Sequence, residues 1–322
     1  MPPLTRRAWL DPYVLALLGT VALAWALPCD GALATALDRA ADGAVALLFF
    51  LYGGRLAREV IVAGMKQWRV QLVVFLATFA LFPLFGVALR AALAPFVSAP
   101  LLAGIVFLTL LPSTVQSSIA FTSIARGNIP AAICSATVSN LAGVVITPAL
   151  VAVLLEAGGS STISLDSVWK IVFLLLAPFA IGHALRPLTA AWHERNRRWL
   201  GFVDRGSILL VVYAAFSAGV VNGTWSRLPL QSLGLILAVS AGLLAAVMAA
   251  TTFASRRLGF TKEDEIAVVF CGSKKSLASG LPMAKILFAG PTVGLVVLPL
   301  MIFHQLQLMV CAVLARRYAQ RS

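Results

Sequence analysis

The sequence predicts an all-α polytopic membrane protein whose ten transmembrane helices form two inverted five-helix repeats, with the fourth and ninth helices broken. Three observations predict this class. Hydrophobic residues make up 60% of the 322 residues and charged residues only 11%, with a mean hydropathy of +0.95, so the chain has too few polar groups to cover a water-soluble globule. The apolar residues fall into ten segments, and the basic residues gather in alternate gaps between them.

The same composition limits the classes of function. A net charge of +13 in a soluble protein would suggest nucleic acid, but here the basic residues lie between apolar segments, where they orient the chain and contact anionic lipid. We therefore expect membrane lipid as a partner and no nucleic acid. The four cysteines have neither CxxC spacing nor a secreted disulfide pattern, and they are predicted to be free thiols.

A membrane-spanning helix needs about 20 mostly apolar residues. The second apolar segment is short, and the basic stretch 55–69 after it has the pattern of an amphipathic helix lying on the membrane surface. The ten predicted spans are approximately 11–28, 41–54, 70–94, 99–125, 130–155, 168–186, 206–222, 231–253, 264–289 and 292–314.

The distribution of positive charge gives the orientation. Ten spans place both termini and every even-numbered gap on one side of the membrane. That side carries 18 of the 25 lysines and arginines, and the other side carries five. By the rule that cytoplasmic loops are enriched in Lys and Arg, both termini are predicted to be cytoplasmic.

The two halves of the chain, about 1–157 and 158–322, resemble each other. A shift of 158 residues places Ser118-Ile-Ala120 on Ser276-Leu-Ala278 and also aligns the first span with the sixth. Such matches are common in sequences rich in leucine and alanine, so their value is positional. Because each half contains five spans, an odd number, a repeat must be inverted across the membrane, which is a common construction of transporters.

The shift also pairs the two most polar stretches within the apolar segments. The fourth span contains LLPSTVQSSIAFTSIARGN (110–128), and the ninth contains FCGSKKSLASGLPMAKILFAG (270–290). Each combines a helix breaker with clustered polar side chains. Broken helices at corresponding places of inverted halves indicate a transport site near the midplane. The alternative for any single hydroxyl is a structural bond to its own helix or to a neighbouring helix.

Lys274 and Lys275 stand side by side near the middle of the ninth span. A charged side chain at the bilayer centre costs about 2.5 to 3.5 kcal/mol on insertion scales and tends to mark function. The alternative is a shallower helix from which the lysines extend toward the surface. All 12 acidic residues map to span ends or loops, so we expect the lysines to contact carbonyls at half-helix ends, polar side chains or an anionic substrate.

Two further spans carry polar residues. In the fifth span, Ser135 and Ser139 share a helix face and Asn140 follows. In the tenth span, His304 stands near two glutamines. Asn140 is either a site residue or a hydrogen-bonding contact between helices, and His304 is either a proton relay or a packing residue.

These stretches resemble the bile acid:sodium symporter superfamily, specifically its SBF-like branch. The resemblance covers nearly the whole chain and rests on ARGNIPAAICSATVSNLAGVVITPAL and GSKKSL. It implies a bile acid symporter-like fold that forms one transporter unit over 1–322. In that fold a core domain (about 70–155 and 231–314) contains two crossing broken helices. A panel domain (about 11–54 and 168–222) faces it across the substrate crevice, and alternating access follows from movement of one domain against the other.

The resemblance also implies an ion site behind the crossing, where sodium-coupled relatives use an acidic residue and a glutamine of the ninth helix. Here Phe270 stands in place of the acid and Lys274 in place of the glutamine, which argues against sodium coupling. We hypothesise that the Lys274 ammonium occupies the space of a sodium ion and bonds helix-end carbonyls and serines across the crossing. Lys275 then turns toward the crevice or shares the site. A lysine there permits proton coupling, and no cofactor or metal is expected.

The sequence thus predicts a secondary transporter or facilitator for a small organic, anionic solute, in a bacterial inner membrane; it leaves the oligomeric state open. The alternative is a non-transporting membrane regulatory protein that retains the fold. An enzyme is not expected, because the mid-membrane segments contain no acid pair, HExxH or GxSxG. The candidate substrate- and ion-binding residues are Gln116, Ser117, Ser118, Thr137, Asn140, Ser273, Lys274, Lys275, Ser276 and His304.

Overall fold

The structure is a computed structural model that describes residues 12–55, 67–156, 176–223, 229–288 and 292–320. Within these ranges every regular element is a helix, and residues 176–184 are helical as well. A π-helical turn, Ala77–Leu81, joins α3 to α4. The helices are α1 (Pro12–Ala26), α2 (Gly31–Arg55), α3 (Trp68–Leu76), α4 (Phe82–Leu93), α5 (Ala99–Leu110), α6 (Gln116–Ile124), α7 (Ile129–Glu156), α8 (Arg186–Arg195), α9 (Arg197–Val221), α10 (Leu230–Arg257), α11 (Lys262–Gly272), α12 (Leu277–Leu287) and α13 (Val293–Ala319).

Within the described residues, five helical segments are long and apolar enough to cross a membrane, and they match the predicted third, fifth, seventh, eighth and tenth spans. They are Trp68–Leu93, Ile129–Leu155, Arg198–Val221, Leu230–Arg257 and Val293–Ala319. Shorter apolar helices at Leu15–Ala26 and Ala99–Leu110 lie in the first and fourth predicted spans. The chain is therefore an α-helical integral membrane protein. Most of the predicted surface helix at 55–69, and part of the sixth span at 168–186, lie outside the described residues.

Two helices extend well beyond the apolar segments that predicted them. Both α2 and α9 begin before the predicted starts at 41 and 206. The acidic residues in these extensions, Asp38 and Asp204, have basic partners. Lys285 of α12 contacts Asp38 and Asp42 of α2, and Arg55 Nη1 lies 2.5 Å from Asp204 Oδ2 in α9. The predicted spans were too short because the apolar criterion ends a span at a charged residue. In the structure the helices continue through Asp38 and Asp204, which have basic partners.

One group of helices contains α1, α2, α8 and α9. Helix α9 packs along α1 and α2, and α8 packs on α2. Two glycines allow α2 to approach the helical segment 176–184 closely. A Cβ atom on Gly53 would overlap the carbonyl oxygen of Phe179, and one on Gly182 would overlap the carbonyl oxygen of Phe50. Only residues without a side chain permit this backbone contact.

The other helices pack around α5 and α13. Helix α5 lies against α13 and α4, and α10 lies against α11 and α13. A Cβ atom on Gly104 would overlap the backbone of Val296, so α5 and α13 are in close contact. The rings of Phe82 and Phe303 meet edge to face with their centroids 6.1 Å apart. Helix α9 also touches α12 and α13 and joins the two groups.

Candidate functional site

The first helix break lies between α5 and α6. Leu111 has an extended backbone (φ −75°, ψ 154°), because Pro112 after it disfavours the helical conformation. Helix α6 then begins at Gln116. Gly143 of α7 makes room for the proline, since a Cβ atom there would lie 2.7 Å from Pro112 Cβ. The break leaves the last carbonyls of α5 without partners in their own helix.

The second break lies between α11 and α12. Helix α11 ends at Gly272, and the N-cap of α12 is Ser276, whose Oγ accepts a hydrogen bond from the Ser279 N–H at 3.2 Å. Pro282 inside α12 removes one further N–H donor. Residues 273–276 form the linker between the two half-helices, and both lysines belong to it.

The two breaks cross and bind each other through backbone carbonyls freed near the helix ends. Three hydrogen bonds join them: Ser113 Oγ to the Cys271 carbonyl (2.5 Å), Ser118 Oγ to the Phe270 carbonyl (3.0 Å) and Ser276 N–H to the Pro112 carbonyl (2.9 Å). Ser113 and Cys271 are 158 residues apart, which is the shift that aligns the two halves of the sequence. The same shift aligns the donors of the other two bonds, Ser118 and Ser276, and their acceptors, Pro112 and Phe270. Each break therefore donates one of these bonds and accepts the other, which is the pattern that a pseudo-twofold axis would produce.

Asn140 attaches both breaks to α7. Its Nδ2 donates to the Ser113 carbonyl at 2.6 Å, and its Oδ1 accepts from Ser279 Oγ at 2.6 Å. The adjacent Ser139 Oγ accepts from the Ser113 N–H at 3.0 Å. One side-chain amide therefore uses its donor on the first break and its acceptor on the second.

Lys275 is 0% exposed. Its Nζ donates to three backbone carbonyls, those of Thr78 (2.9 Å), Thr109 (2.9 Å) and Leu111 (2.6 Å). These acceptors match the three N–H groups of an ammonium. The Phe82 ring lies on another side, 4.0 Å from Nζ to the ring centroid. Two of the carbonyls stand at the C-terminal end of α5, where the helix dipole is negative.

The third carbonyl is available because of the π-helical turn. In a regular helix the Phe82 N–H would bond the Thr78 carbonyl, but here it bonds the Ala77 carbonyl. The next residue, Pro83, has no N–H to take its place. The Thr78 carbonyl is thereby left for Lys275, so a local irregularity in one helix supplies a ligand for a lysine on another.

Lys274 is also 0% exposed, but its surroundings differ. Its Nζ donates to the Ser117 carbonyl in the first turn of α6 at 2.9 Å. The centroids of the Phe121 and Phe270 rings lie 4.2 Å and 5.2 Å from Nζ. Lys274 thus has one carbonyl and two aromatic faces.

The structure distributes the two lysine roles differently from the hypothesis. Lys275, rather than Lys274, holds the carbonyls at the end of a half-helix, and it is enclosed rather than turned toward a crevice. Lys274 does bond a serine across the crossing, through the backbone carbonyl of Ser117. The expectation that carbonyls would replace carboxylates as partners agrees with the contacts of both side chains.

Helix α13 holds the linker through Gln307, which is fully buried. Its Oε1 accepts from the Lys275 N–H at 2.9 Å, and its Nε2 donates to the Lys275 carbonyl at 2.9 Å. Nε2 also lies 2.9 Å from His304 Nδ1. The sequence-based set of candidate residues omitted Gln307, because nothing in the sequence distinguishes it from Gln305 nearby.

The structure brings seven of the predicted residues together at the crossing and leaves three aside. The seven are Ser117, Ser118, Asn140, Lys274, Lys275, Ser276 and His304. Thr137 and Ser273 donate to carbonyls of their own helix, those of Ile133 (2.7 Å) and Val269 (2.6 Å), which is the structural alternative for such hydroxyls. Gln116 is exposed at the first turn of α6.

The sequence is similar to those of several known proteins. The model of the SBF-like CPA transporter family matches residues 11–320. The uncharacterized protein PA2026 of Pseudomonas aeruginosa is 57% identical over 312 residues, which cover 97% of this chain and 93% of that protein. YfeH of Escherichia coli, a candidate symporter by its name, is 49% identical over 313 residues (97% and 94%). The mouse protein named sodium/bile acid cotransporter 7 is 32% identical over 276 residues (84% and 80%).

The match runs over the broken helices, the linker and the helices that hold them. The chain belongs to the SBF-like CPA transporter family.

Proposed function

We propose that this protein is a secondary transporter or facilitator that moves a small organic, anionic solute across the membrane by alternating access. The observation that carries the proposal is the crossing of two broken helices, whose freed carbonyls are held by a buried ammonium. Broken helices with polar backbone at membrane depth are typical of transport sites. The names of the mouse and Escherichia coli relatives support the same class.

The electrostatics favour an anionic solute. The N-terminal ends of α6 and α12 lie at the crossing, and N-terminal helix ends carry a partial positive charge of about 0.5. Lys274 adds a full charge beside the first turn of α6, where it bonds Ser117. Aromatic faces are weaker acceptors than a carboxylate. An anion that reaches Lys274 would therefore bind its ammonium more strongly than the two rings do.

Alternating access needs two bodies that move against each other. We assign α1, α2, α8 and α9 to the panel and the helices around α5 and α13 to the core. The pseudo-twofold contacts at the crossing support two inverted repeats, and ten spans with cytoplasmic termini follow from the distribution of basic residues. The bacterial relatives support the inner membrane as the location. Labelling of single cysteines in the loops with a membrane-impermeant thiol reagent, in intact cells and in permeabilised cells, tests this topology.

The coupling ion follows from the cation already at the crossing. We propose that the Lys275 ammonium takes the place of a bound sodium ion, because it makes the carbonyl contacts that the sequence assigned to Lys274. A side chain that fills the position leaves no room for sodium there, and we propose protons as the coupling ion if transport is coupled. Coupling to sodium would require an ion position elsewhere.

Uptake into proteoliposomes tests the proposal. The protein is reconstituted and offered labelled organic anions, including conjugated bile acids because of the name of the mouse relative, under a sodium gradient or a proton gradient. We expect accumulation under the proton gradient and its loss in Lys274→Gln. Thr189→Ala is a matched control, because this exposed hydroxyl bonds only within its own helix. Accumulation driven by sodium alone would overturn the coupling proposal.

One observation favours the alternative of a non-transporting regulatory protein. Both lysines are fully buried. A crossing that is held together by its own side chains could serve as a structural core in a protein through which no solute passes. Absence of uptake for every anion under either gradient, with a stably folded protein, would favour this alternative.

A further inference from the structure

The peptide group of Lys275 fixes the orientation of the Gln307 side-chain amide. The backbone N–H can only donate and the backbone carbonyl can only accept. The Gln307 atom beside the N–H is therefore Oε1, and the atom beside the carbonyl is Nε2, each at 2.9 Å. The amide cannot be rotated by half a turn without opposing two donors and two acceptors.

This orientation fixes the tautomer of His304. Nε2 of Gln307 carries two hydrogens, of which one goes to the Lys275 carbonyl. The second points at His304 Nδ1, which is 2.9 Å away. An amide NH2 group donates and does not accept, so Nδ1 must be the acceptor. The imidazole is then neutral, with its proton on Nε2.

We propose that Gln307 is a positioning residue that couples the protonation of His304 to the linker 273–276. A proton on Nδ1 would oppose two donors across 2.9 Å and break the contact with Gln307. The new N–H has another acceptor within reach, the Lys275 carbonyl, at 3.4 Å. The imidazolium then competes with Gln307 for that carbonyl and loosens the pairing that holds the linker.

The linker that His304 contacts carries the charged groups of Lys274 and Lys275, and α13 itself carries the Cys311 thiol. Helices α5 and α6 pack on α13 and carry no titratable side chain. Titratable residues on the other described helices that pack on α13 make contacts elsewhere or are exposed: Arg198 (exposed), Asp204 (with Arg55), Arg205 (on Tyr13), Tyr213 (with Cys29), Arg256 (with Glu265), Arg257 (on Phe253) and Lys285 (with Asp38 and Asp42). Helix α11 also contacts α13, where the Phe270 ring meets Tyr318, and its titratable residues have these partners: Glu265 (with Lys262, Arg256 and Tyr318), Asp264 (with Asn128) and Cys271 (with the Ala132 carbonyl).

A change at the linker also affects the two elements that the Lys275 side chain binds. The Lys275 side chain binds the end of α5 and the π-helical turn, so a change at its backbone is transmitted to both. In a transporter, protonation of His304 would act on the crossing through the linker, and this interpretation rests on the proposed function. The structural coupling itself does not, since it requires no solute.

The first experiment determines the tautomer. The chain contains three histidines, so labelling them with 15N in the full-length protein in detergent micelles gives few signals, and His304→Asn identifies the one from His304. At neutral pH we expect a nitrogen signal typical of an unprotonated Nδ1 and a protonated Nε2. A neutral ring with its proton on Nδ1 would contradict the proposal.

The second experiment measures hydrogen exchange of the linker amides between about pH 5 and 8, the range over which histidine charge commonly changes. After correction for intrinsic rates, we expect exchange in the unmodified protein to be about tenfold faster when His304 is protonated, because the Gln307 pairing is lost. His304→Asn keeps an acceptor near the position of Nδ1 but cannot titrate, so its linker should stay protected at every pH. Gln307→Met should exchange rapidly throughout.

A linker whose exchange does not respond to pH in the unmodified protein, or a response that persists in His304→Asn, would overturn the proposal. If Gln307→Met does not fold, the comparison between the unmodified protein and His304→Asn still decides. Neither experiment depends on uptake, so a failed transport assay and a failed coupling test remain distinguishable.

Discussion

Lys274 and Lys275 are adjacent, identical in type and equally buried, yet their surroundings differ. Lys275 has three carbonyl acceptors and one aromatic ring, whereas Lys274 has one carbonyl and two rings. Burial alone therefore does not indicate what a charged side chain does in a membrane protein. We expect the number and strength of its acceptors to separate a cation that holds the fold from one that can exchange partners.

The comparison also shows how a buried charge can be satisfied without a carboxylate. Lys275 uses backbone carbonyls that a helix break and a π-helical turn have released, so irregular backbone and buried charge stabilise each other there. Lys274 instead adds its bond to the Ser117 carbonyl within the first turn of α6. A substitution that removes a lysine leaves its carbonyl acceptors without a donor. The loss in unfolding free energy should increase with the number of these acceptors.

The largest effect is expected for Lys275→Met, which keeps an unbranched chain of similar volume and removes the ammonium. Three buried carbonyls lose their donor, and each buried acceptor left without a partner costs about 1 to 3 kcal/mol. Thermal and denaturant unfolding of the detergent-solubilised protein measures the loss. Stability equal to that of the unmodified protein would show that Lys275 does not hold the crossing.

Lys274→Met should destabilise the protein less, by about 1.5 to 3 kcal/mol, the range for one hydrogen bond to a charged group. It should nevertheless abolish uptake, because this lysine is the one proposed to meet the solute. The same unfolding measurement gives the order of the two variants. A larger loss for Lys274→Met than for Lys275→Met would reverse the comparison.

The aromatic contact of Lys274 should contribute a smaller amount. A double-mutant cycle between Phe121→Leu and Lys274→Met isolates it, because the loss of packing at Phe121 cancels in the coupling term. We expect a coupling of about 0.5 to 2 kcal/mol. A coupling near zero would mean that the ring is only a packing neighbour of the ammonium.

The smallest effect is expected for Lys285→Gln, which removes the third lysine of the ninth span from its contacts with Asp38 and Asp42. Both carboxylates are largely exposed, at 65% and 62% of their side-chain area. Ion pairs of this kind are worth about 0 to 1 kcal/mol, and salt should reduce the difference further. A loss as large as that of Lys274→Met would indicate a buried role for this pair.

The class of fold, an α-helical membrane protein, and the places of the two helix breaks could be predicted from the sequence. Composition alone identified a helical membrane protein, and the pairing of Ser118 with Ser276 under one shift located both breaks. The four cysteines are free thiols, which confirms that prediction. These features depend on local residue types, which the sequence states directly.

The roles of the two lysines could not be predicted, because they depend on backbone atoms from other helices. The Thr78 carbonyl is released by a shifted hydrogen bond and by the missing N–H of Pro83, both remote in sequence from Lys275. Gln307 was missed for a related reason. Its partner is a peptide group rather than a side chain, and the sequence does not show which peptide groups lack a partner.

Because the three carbonyls around Lys275 bind an ammonium of the chain itself, the stability of the crossing should not depend on the concentration of a free ion. A bound ion stabilises a protein according to its free concentration, through RT ln(1 + [L]/Kd). A cation that is covalently part of the chain does not exchange with the salt ions of the medium, so it has no term in their concentration. Exchange of sodium for potassium or choline in the medium should therefore leave the unfolding midpoint unchanged at equal ionic strength. At constant pH, the occupancy of this position by a cation does not depend on which salt is outside.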